Sequence, residues 1–218
     1  MDAAKSYRIM EAGKIQILVA DGTYTLTAGV QFNHPDGQRL EVIGNETTPA
    51  NVVIAVTYTS AFGFDCFYVT DGNILGKLNG FKFLKSSKAA VLDNTTAILA
   101  NRNATIICGT KIVVDNWYYG IAARDNSYIY CPSASVDNAG DVGIWAYRNA
   151  CVYAYGATSN NASDVPSNLG YGFQAEYGSF LNCSTGSATG CRKAGVGALS
   201  NGTVDAAACV SSTNTGSG

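Results

Sequence analysis

A segment of 23 residues recurs along this chain, and this recurrence limits the possible folds more than any other feature of the sequence. The segments AILANRNATIIC, GIAARDNSYIYC, GIWAYRNACVYA, GFQAEYGSFLNC and GVGALSNGTVDA share one pattern, and they start at Ala97, Gly120, Gly143, Gly172 and Gly195. Three of the four intervals are 23 residues long, and the interval from Gly143 to Gly172 is 29. Self-similarity at such a period is typical of solenoids and other repeat architectures.

Aligned copies alternate apolar and variable positions, which predicts a strand with one buried face. The positions between the apolar ones vary freely in residue type, with Trp145 and Gln174 as examples, and they are expected to face outward. One apolar column is Ile98, Ile121, Ile144, Phe173 and Val196, and the other is Ala100, Ala123, Ala146, Ala175 and Ala198.

A sharp corner is expected after this strand, because one column contains only Asn or Gly, the residues that reach positive φ at least cost. A second strand and then a variable return follow the corner. The corner column is Asn103, Asn126, Asn149, Gly178 and Asn201; the second strand has the apolar columns Ile106, Ile129, Val152, Leu181, Val204 and Cys108, Cys131, Ala154, Cys183, Ala206.

No copy has 3.6-residue periodicity, which disfavours βαβ and leucine-rich units. The sequence therefore predicts an all-β fold, a right-handed parallel β-helix over residues 14–218 with about 23 residues per coil, as a single domain. Upstream, CFYVTDGNIL from Cys66 fits the same template, with Gly72 at the corner. Residues 1–13 are predicted to form a short capping helix, since the open end of a solenoid needs a cover.

Composition excludes several function classes. The net charge is −2 with only 14 Lys and Arg, so no basic face is expected for nucleic acid. No apolar run approaches the length of a membrane span, so we expect no membrane insertion. The cysteine column shared with alanine predicts free buried thiols and assembly in a reducing cytoplasm. No metal-ligand spacing occurs, and neither a metal nor a cofactor is expected.

Catalytic candidates are few. The single histidine, His34, lies in the turn FNHPDG and is interpreted as structural. Polysaccharide hydrolysis requires two carboxyl groups about 5–9.5 Å apart. Glu176, Asp164 and Asp141 are the weak candidates, with Asp164 in the longer interval and Asp141 in the return before Gly143.

Aromatic residues give a stronger signal. Many lie at outward positions of three consecutive copies, where flat rings suit stacking against sugars while Asn, Gln and Arg bind the hydroxyls. A protein interface is the alternative, since Tyr and Trp are also enriched there, and the two can coexist on different faces. The candidate carbohydrate-binding residues are Trp145, Tyr147, Tyr153, Tyr155, Tyr171 and Tyr177.

The segment IQILVADGTYTLTAGVQFNHPDGQRLEVIGN, residues 15–45, resembles the opening of pectin-lyase-like β-helix domains in bacteriophage tail fibres and tailspikes. The step ADGTYTL, followed by NHPDG and VIGN, carries the resemblance. It implies a virion tail protein, assembled in the host cytoplasm, that is usually a homotrimer, contacts other tail proteins and recognises host surface polysaccharide. Tailspikes of this fold often cleave that glycan with paired acids, but no tailspike catalytic motif matches a position here.

Three functions follow as hypotheses. The first is a non-enzymatic structural and receptor-binding module with a sugar-binding aromatic face. The second is a tailspike endoglycosidase or polysaccharide lyase, which requires Glu176 and a second carboxylate in one groove. The third is a purely architectural fibre shaft, whose outward aromatic residues would be buried between chains.

Overall fold

The computed structural model describes residues 13–57, 64–86, 94–163 and 170–214, and strands dominate these ranges. The predicted capping helix lies outside the described residues except for Gly13, which is not helical. Two single 3-10 turns occur within these ranges, at Gly37–Arg39 and Pro49–Asn51. The strands are β1 (Ile15–Leu18), β2 (Gly22–Leu26), β3 (Val30–Phe32), β4 (Leu40–Ile43), β5 (Val52–Val56), β6 (Phe67–Thr70), β7 (Ile74–Asn79), β8 (Phe81–Lys85), β9 (Thr96–Asn101), β10 (Thr105–Cys108), β11 (Ile112–Asp115), β12 (Tyr119–Arg124), β13 (Tyr128–Tyr130), β14 (Ser135–Asp137), β15 (Val142–Tyr147), β16 (Cys151–Tyr153), β17 (Thr158–Asn160), β18 (Tyr171–Glu176), β19 (Phe180–Asn182), β20 (Ser187–Thr189), β21 (Ala194–Leu199), β22 (Thr203–Asp205) and β23 (Val210–Ser212).

Every third strand belongs to the same parallel sheet, so the chain winds repeatedly through three sheets in the same order. We call them sheet A, sheet B and sheet C. Sheet A contains β1, β4, β7, β10, β13, β16, β19 and β22; sheet B contains β2, β5, β8, β11, β14, β17, β20 and β23; sheet C contains β3, β6, β9, β12, β15, β18 and β21. This topology confirms the predicted parallel β-helix.

The register reproduces the columns read from the sequence. In sheet C, Ile121 pairs with Ile98 and Ile144, and the ladder continues through Phe173 to Val196. In sheet A, the column that starts at Ile106 pairs in the same way. Like residues are therefore stacked at about 4.8 Å along the axis, and most are fully buried in one continuous core.

The predicted variable return contains a third strand that the sequence pattern does not reveal. Strands β11, β14, β17 and β20 form the middle of sheet B. Their inward residues are Val114, Val136, Ser159 and Ala188, which shrink along the chain and lose the apolar alternation that marks a strand. The coil is thus three-sided rather than a strand pair with an irregular return.

The corners between sheet C and sheet A use two successive residues with positive φ. Asn126 has φ 60° as predicted, and Asp125 before it has φ 52°. The same pair occurs at each corner from Asp71–Gly72 to Ser200–Asn201. Asparagine reaches this region most cheaply among residues with a side chain, so the Asn column is explained. The preceding column, which includes Arg148 and Tyr177, shows no such preference and was not predicted.

The glycine that opens most copies is required by close packing. A Cβ at Gly143 would lie 1.8 Å from Ser159 Oγ, and one at Gly120 would lie 2.4 Å from a methyl carbon of Val136. Both glycines therefore face inward, as do the isoleucines that follow them. Two successive inward positions interrupt the alternation, and the residues before the glycines, Tyr119 and Val142, face outward.

Cysteines behave as predicted in the described residues. All seven are free thiols, and Cys66, Cys108, Cys131, Cys183 and Cys191 are buried. Burial raises the pKa of the Cys108 thiol to about 12, so this side chain acts as a small apolar residue rather than a nucleophile.

Candidate functional site

A second apolar cluster covers the outer face of sheet C, separate from the core inside the coil. Three of its rings come from two columns. One is the outward column before the glycines, which supplies Tyr119 and Tyr171, and the other is the central outward column of the strands, which supplies Trp145. The cluster consists of Leu99, Tyr118, Tyr119, Ala122, Val142, Trp145 and Tyr171, with Tyr68, Tyr147 and Ala194 packed against it.

The rings of this cluster contact one another in a continuous series. Tyr119 stacks on Trp145 at 4.7 Å between centroids with an interplanar angle of 23°. Trp145 lies 4.5 Å from Tyr147, which meets Tyr177 edge to face at 5.2 Å. Trp145 and Tyr171 do face outward, but only 9% and 6% of their surface is exposed. Their outward position therefore does not leave them exposed, because the residues of this cluster bury one another outside the coil.

A groove of about 240 Å³ opens beside these rings. Gly197 helps to shape it, because the Tyr171 ring lies where a side chain at Gly197 would be, with ring atoms 2.7 Å from the position of a Cβ. The groove is lined by five aromatic residues, two acids, one amide and two aliphatic residues: Tyr119, Asp141, Val142, Trp145, Tyr147, Tyr171, Gln174, Glu176, Tyr177 and Leu199.

Two buried polar atoms of lining residues have no hydrogen-bond partner in the part of the chain that the structure describes. They are the indole N–H donor of Trp145, at Nε1, and the acceptor Oε1 of Gln174. Trp145 and Gln174 are register partners on β15 and β18, so the orphan donor and acceptor belong to adjacent strands about 4.8 Å apart. An unsatisfied buried polar group is costly, so each of these atoms would be stabilised by a hydrogen-bond partner.

Glu176 and Asp141 both line the groove. The Gln174 side-chain amide donates a hydrogen bond to Glu176. Burial raises the pKa of Glu176, and this hydrogen bond opposes the shift in part. The pKa of Tyr171 is also raised, first by burial and then by the negative charges of Glu176 and Asp141.

The spacing of the two acids follows from the register. Val142 pairs with Tyr171, so Asp141 lies at the level of the residue before β18, whereas Glu176 ends that strand. Their Cα atoms are therefore offset by roughly 20 Å along the strand direction. The backbones of the two acids therefore lie at opposite ends of β18, whereas a glycosidase places its two carboxyl groups about 5–9.5 Å apart. Asp164, the third catalytic candidate, lies outside the described residues.

The six aromatic candidates divide between two faces. Trp145, Tyr147, Tyr171 and Tyr177 line the groove on sheet C. Tyr153 belongs to β16 on sheet A, with Tyr155 just after it, and 38% and 55% of their surfaces are exposed. The Tyr153 ring lies 5.9 Å from Tyr128 and 5.6 Å from Phe180. This second patch is a separate surface.

Sequence reasoning missed Tyr119 and Gln174 as parts of the site. The tyrosine has a detectable signal, because the dipeptide Tyr-Gly occurs at both 119–120 and 171–172, at the same place in the repeat. Gln174 belongs to a column whose residue type varies freely, so the sequence alone does not mark it as a site residue. Its role becomes visible only from its partners on neighbouring coils.

Other sites receive no support among the described residues. His34 is buried, and its Nδ1 accepts a hydrogen bond from the Asp36 backbone N–H at 3.0 Å, which agrees with a structural role. Within the described ranges no group of three potential metal ligands occurs. No helix in those ranges is long and apolar enough to cross a membrane.

Comparison of the chain with protein-family models, with curated proteins and with solved structures found no match.

Proposed function

We propose that this chain is a host-receptor-binding module of the phage tail-fibre or tailspike type, and that the groove on sheet C binds one unit of a bacterial surface polysaccharide. The observation that carries the proposal is a groove lined by five aromatic rings, two of whose lining residues, Trp145 and Gln174, each hold a buried polar atom without a partner in the described residues. A sugar hydroxyl both accepts and donates a hydrogen bond, so it complements either atom.

The size and lining of the groove agree with a sugar. Aromatic rings pack against the apolar face of a sugar ring, while a few placed polar groups fix its orientation. At about 240 Å³ the groove is smaller than the roughly 300–1,000 Å³ of sites for drug-sized ligands. It therefore suits a single residue of a polysaccharide, with neighbouring residues extending over the exposed Tyr177.

The remaining elements of the proposal rest on the fold and on the resemblance at residues 15–45. A rigid parallel β-helix suits a fibre component that assembles in the host cytoplasm, joins the virion and contacts other tail proteins. The proposed homotrimer would use the patch around Tyr153 on sheet A, because exposed aromatic residues are typical of protein interfaces. Sedimentation of a monomer at micromolar concentration would argue against the trimer.

The test is binding of the purified protein to capsular and O-antigen polysaccharides of candidate bacterial hosts, with chain length followed in parallel. W145A should abolish binding, and W145F, which keeps a ring but lacks the N–H, should weaken it. Y155A is the matched control, since Tyr155 is an exposed ring away from the groove, and it should bind as the wild type does. Binding by W145A equal to that of the wild type would refute the site.

An endoglycosidase or lyase is the second candidate, because Glu176 and Asp141 line one groove and burial raises the pKa of Glu176, as a general acid requires. The offset of the two acids is less favourable. Shortened polysaccharide chains that appear with wild type and disappear with E176Q would establish the enzyme. If the protein neither binds nor cleaves any of the polysaccharides, the purely architectural fibre shaft is the remaining hypothesis.

A further inference from the structure

The charge of the groove is one-sided. Its ten lining residues include the acids Asp141 and Glu176 and no lysine, arginine or histidine. Neutral sugars do not require this asymmetry, and acidic sugars would be repelled by it. The charge of the lining therefore indicates the charge of the ligand, in addition to the preference for a sugar that the aromatic rings indicate.

Glu176 has no cationic partner among the residues that the structure describes. Its hydrogen bond comes from the neutral amide of Gln174. In the strand register it is flanked by Tyr147 on one side and Leu199 on the other. A carboxylate among apolar neighbours is stabilised by a ligand that supplies a positive charge.

Two arginines lie against rings that line the groove, and neither pairs with Glu176 in the described residues. Arg148 lies 3.6 Å from the Asp125 carboxylate and stacks over the Tyr147 ring at 4.8 Å. Arg124 lies over the Tyr119 and Trp145 rings at 5.0 and 4.9 Å. Arg124 is two strands from Glu176 in the same column, with Tyr147 between them, which separates the two Cα atoms by roughly 10 Å.

These contacts also show that the rings of the cluster present their faces to cations. Tyr177 has 51% of its surface exposed, meets Tyr147 edge to face and stands next to Glu176 in the chain. A cation seated at the Glu176 end would contact a carboxylate and an aromatic face together, which is the arrangement used for ammonium ligands.

We infer that the sugar bound in this groove carries a free, protonated amino group, and that Glu176 accepts a hydrogen bond from this ammonium while a hydroxyl of the same unit pairs with Trp145 and Gln174. The inference rests on the proposed glycan-binding function and specifies its ligand class. Glycans with uronic, sialic or phosphorylated units are poor ligands, because their anions would face Glu176 and Asp141.

The probes are three tetrasaccharides measured by isothermal titration calorimetry: a glucosamine tetramer, its N-acetylated counterpart and a galacturonic acid tetramer. Wild type should bind the glucosamine tetramer at least about tenfold more tightly than the acetylated one, as expected for one charge-assisted hydrogen bond. The galacturonic acid tetramer should be the weakest ligand.

E176Q separates charge from shape. It should remove the preference for the free amine, so that the two amino-sugar tetramers bind with affinities within about twofold of each other. E46Q is the matched control, because Glu46 pairs with Lys77 at 2.8 Å outside the groove, and it should keep the preference. Circular dichroism confirms that both variants are folded.

The outcomes distinguish the two proposals. Equal binding of both amino-sugar tetramers, or a preference that survives in E176Q, overturns the inference and leaves the glycan-binding groove standing if bacterial polysaccharide binding depends on Trp145. No binding of any tetramer overturns the inference as well. The absence of polysaccharide binding in addition refutes the proposed function.

Discussion

The inward glycine column makes a quantitative prediction about stability at Gly143. The Cβ of an alanine there would lie 1.8 Å from Ser159 Oγ, 2.8 Å from the Gly172 carbonyl oxygen and 3.0 Å from Ser159 Cβ. Gly143 does not have positive φ, so the alanine backbone itself is not strained. The cost of G143A is therefore steric and comes mainly from one hydroxyl oxygen.

Forcing an extra methyl group into a packed core costs about 1–3 kcal/mol. We expect G143A to lower the free energy of unfolding by about 2 kcal/mol, which lowers the Tm of a chain of this size by about 4–8 °C. S159A removes the closest atom, and the Ser159 hydroxyl is buried without a partner in the described residues. S159A alone should therefore be neutral or stabilising.

The double variant tests the mechanism. In G143A/S159A the contacts at 2.8 and 3.0 Å remain, so rescue is partial, and a favourable coupling of about 1 kcal/mol is expected. Thermal melts followed by circular dichroism give the four Tm values of the cycle. If G143A melts within 1 °C of the wild type, or if the two changes are additive, the inward position of the glycine column is wrong.

Three further predictions concern other parts of the coil. At the corner residue Asn126, φ 60°, N126V should cost about 1–2 kcal/mol and N126G should be near neutral; equal Tm values would contradict this. A thiol reagent should titrate seven cysteines in the unfolded chain and react only slowly with buried thiols such as Cys108 in the folded one, and fewer than seven would reveal a disulfide. Because burial raises the folded-state pKa of Glu176, its contribution to stability is fully present below the unfolded pKa and is lost as the pH rises through the folded pKa. E176Q should therefore raise the Tm relative to the wild type at pH 7 but not at pH 4, and the same difference at both values would refute the shift.

The columns of the coil could be predicted because parallel stacking turns sequence periodicity directly into contact. Ile121 pairs with Ile98 because the two residues are one repeat apart. This contact follows from the repeat length alone and does not depend on how distant elements pack. The third strand lacks such a signal, because small inward residues such as Ser159 and Ala188 do not look like a buried strand face.

The groove could be predicted only in part. The sequence identifies five of the lining residues as candidate site residues, and the structure brings them together in one groove: Trp145, Tyr147, Tyr171, Tyr177 and Glu176. Their burial was not predictable, because it depends on the double inward step at the glycine column, which turns Tyr119 and Tyr171 outward. Tyr153 and Tyr155 belong to the same repeats but lie on or beside sheet A rather than sheet C. The sequence pattern alone does not separate these two tyrosines from the groove residues, because the assignment to a sheet depends on how the chain folds.

The longer interval in the repeat has a consequence for how such a protein changes over generations. The additional residues fall between β17 and β18, and Tyr171, which begins β18, still pairs with Val142 before it and Ala194 after it. Each coil depends only on its neighbours, so length variation at this connection is compatible with an intact ladder. The connection leads directly into the residues that line the groove. Changes in this one segment are therefore able to alter the surface beside the groove while the scaffold that presents it is inherited unchanged.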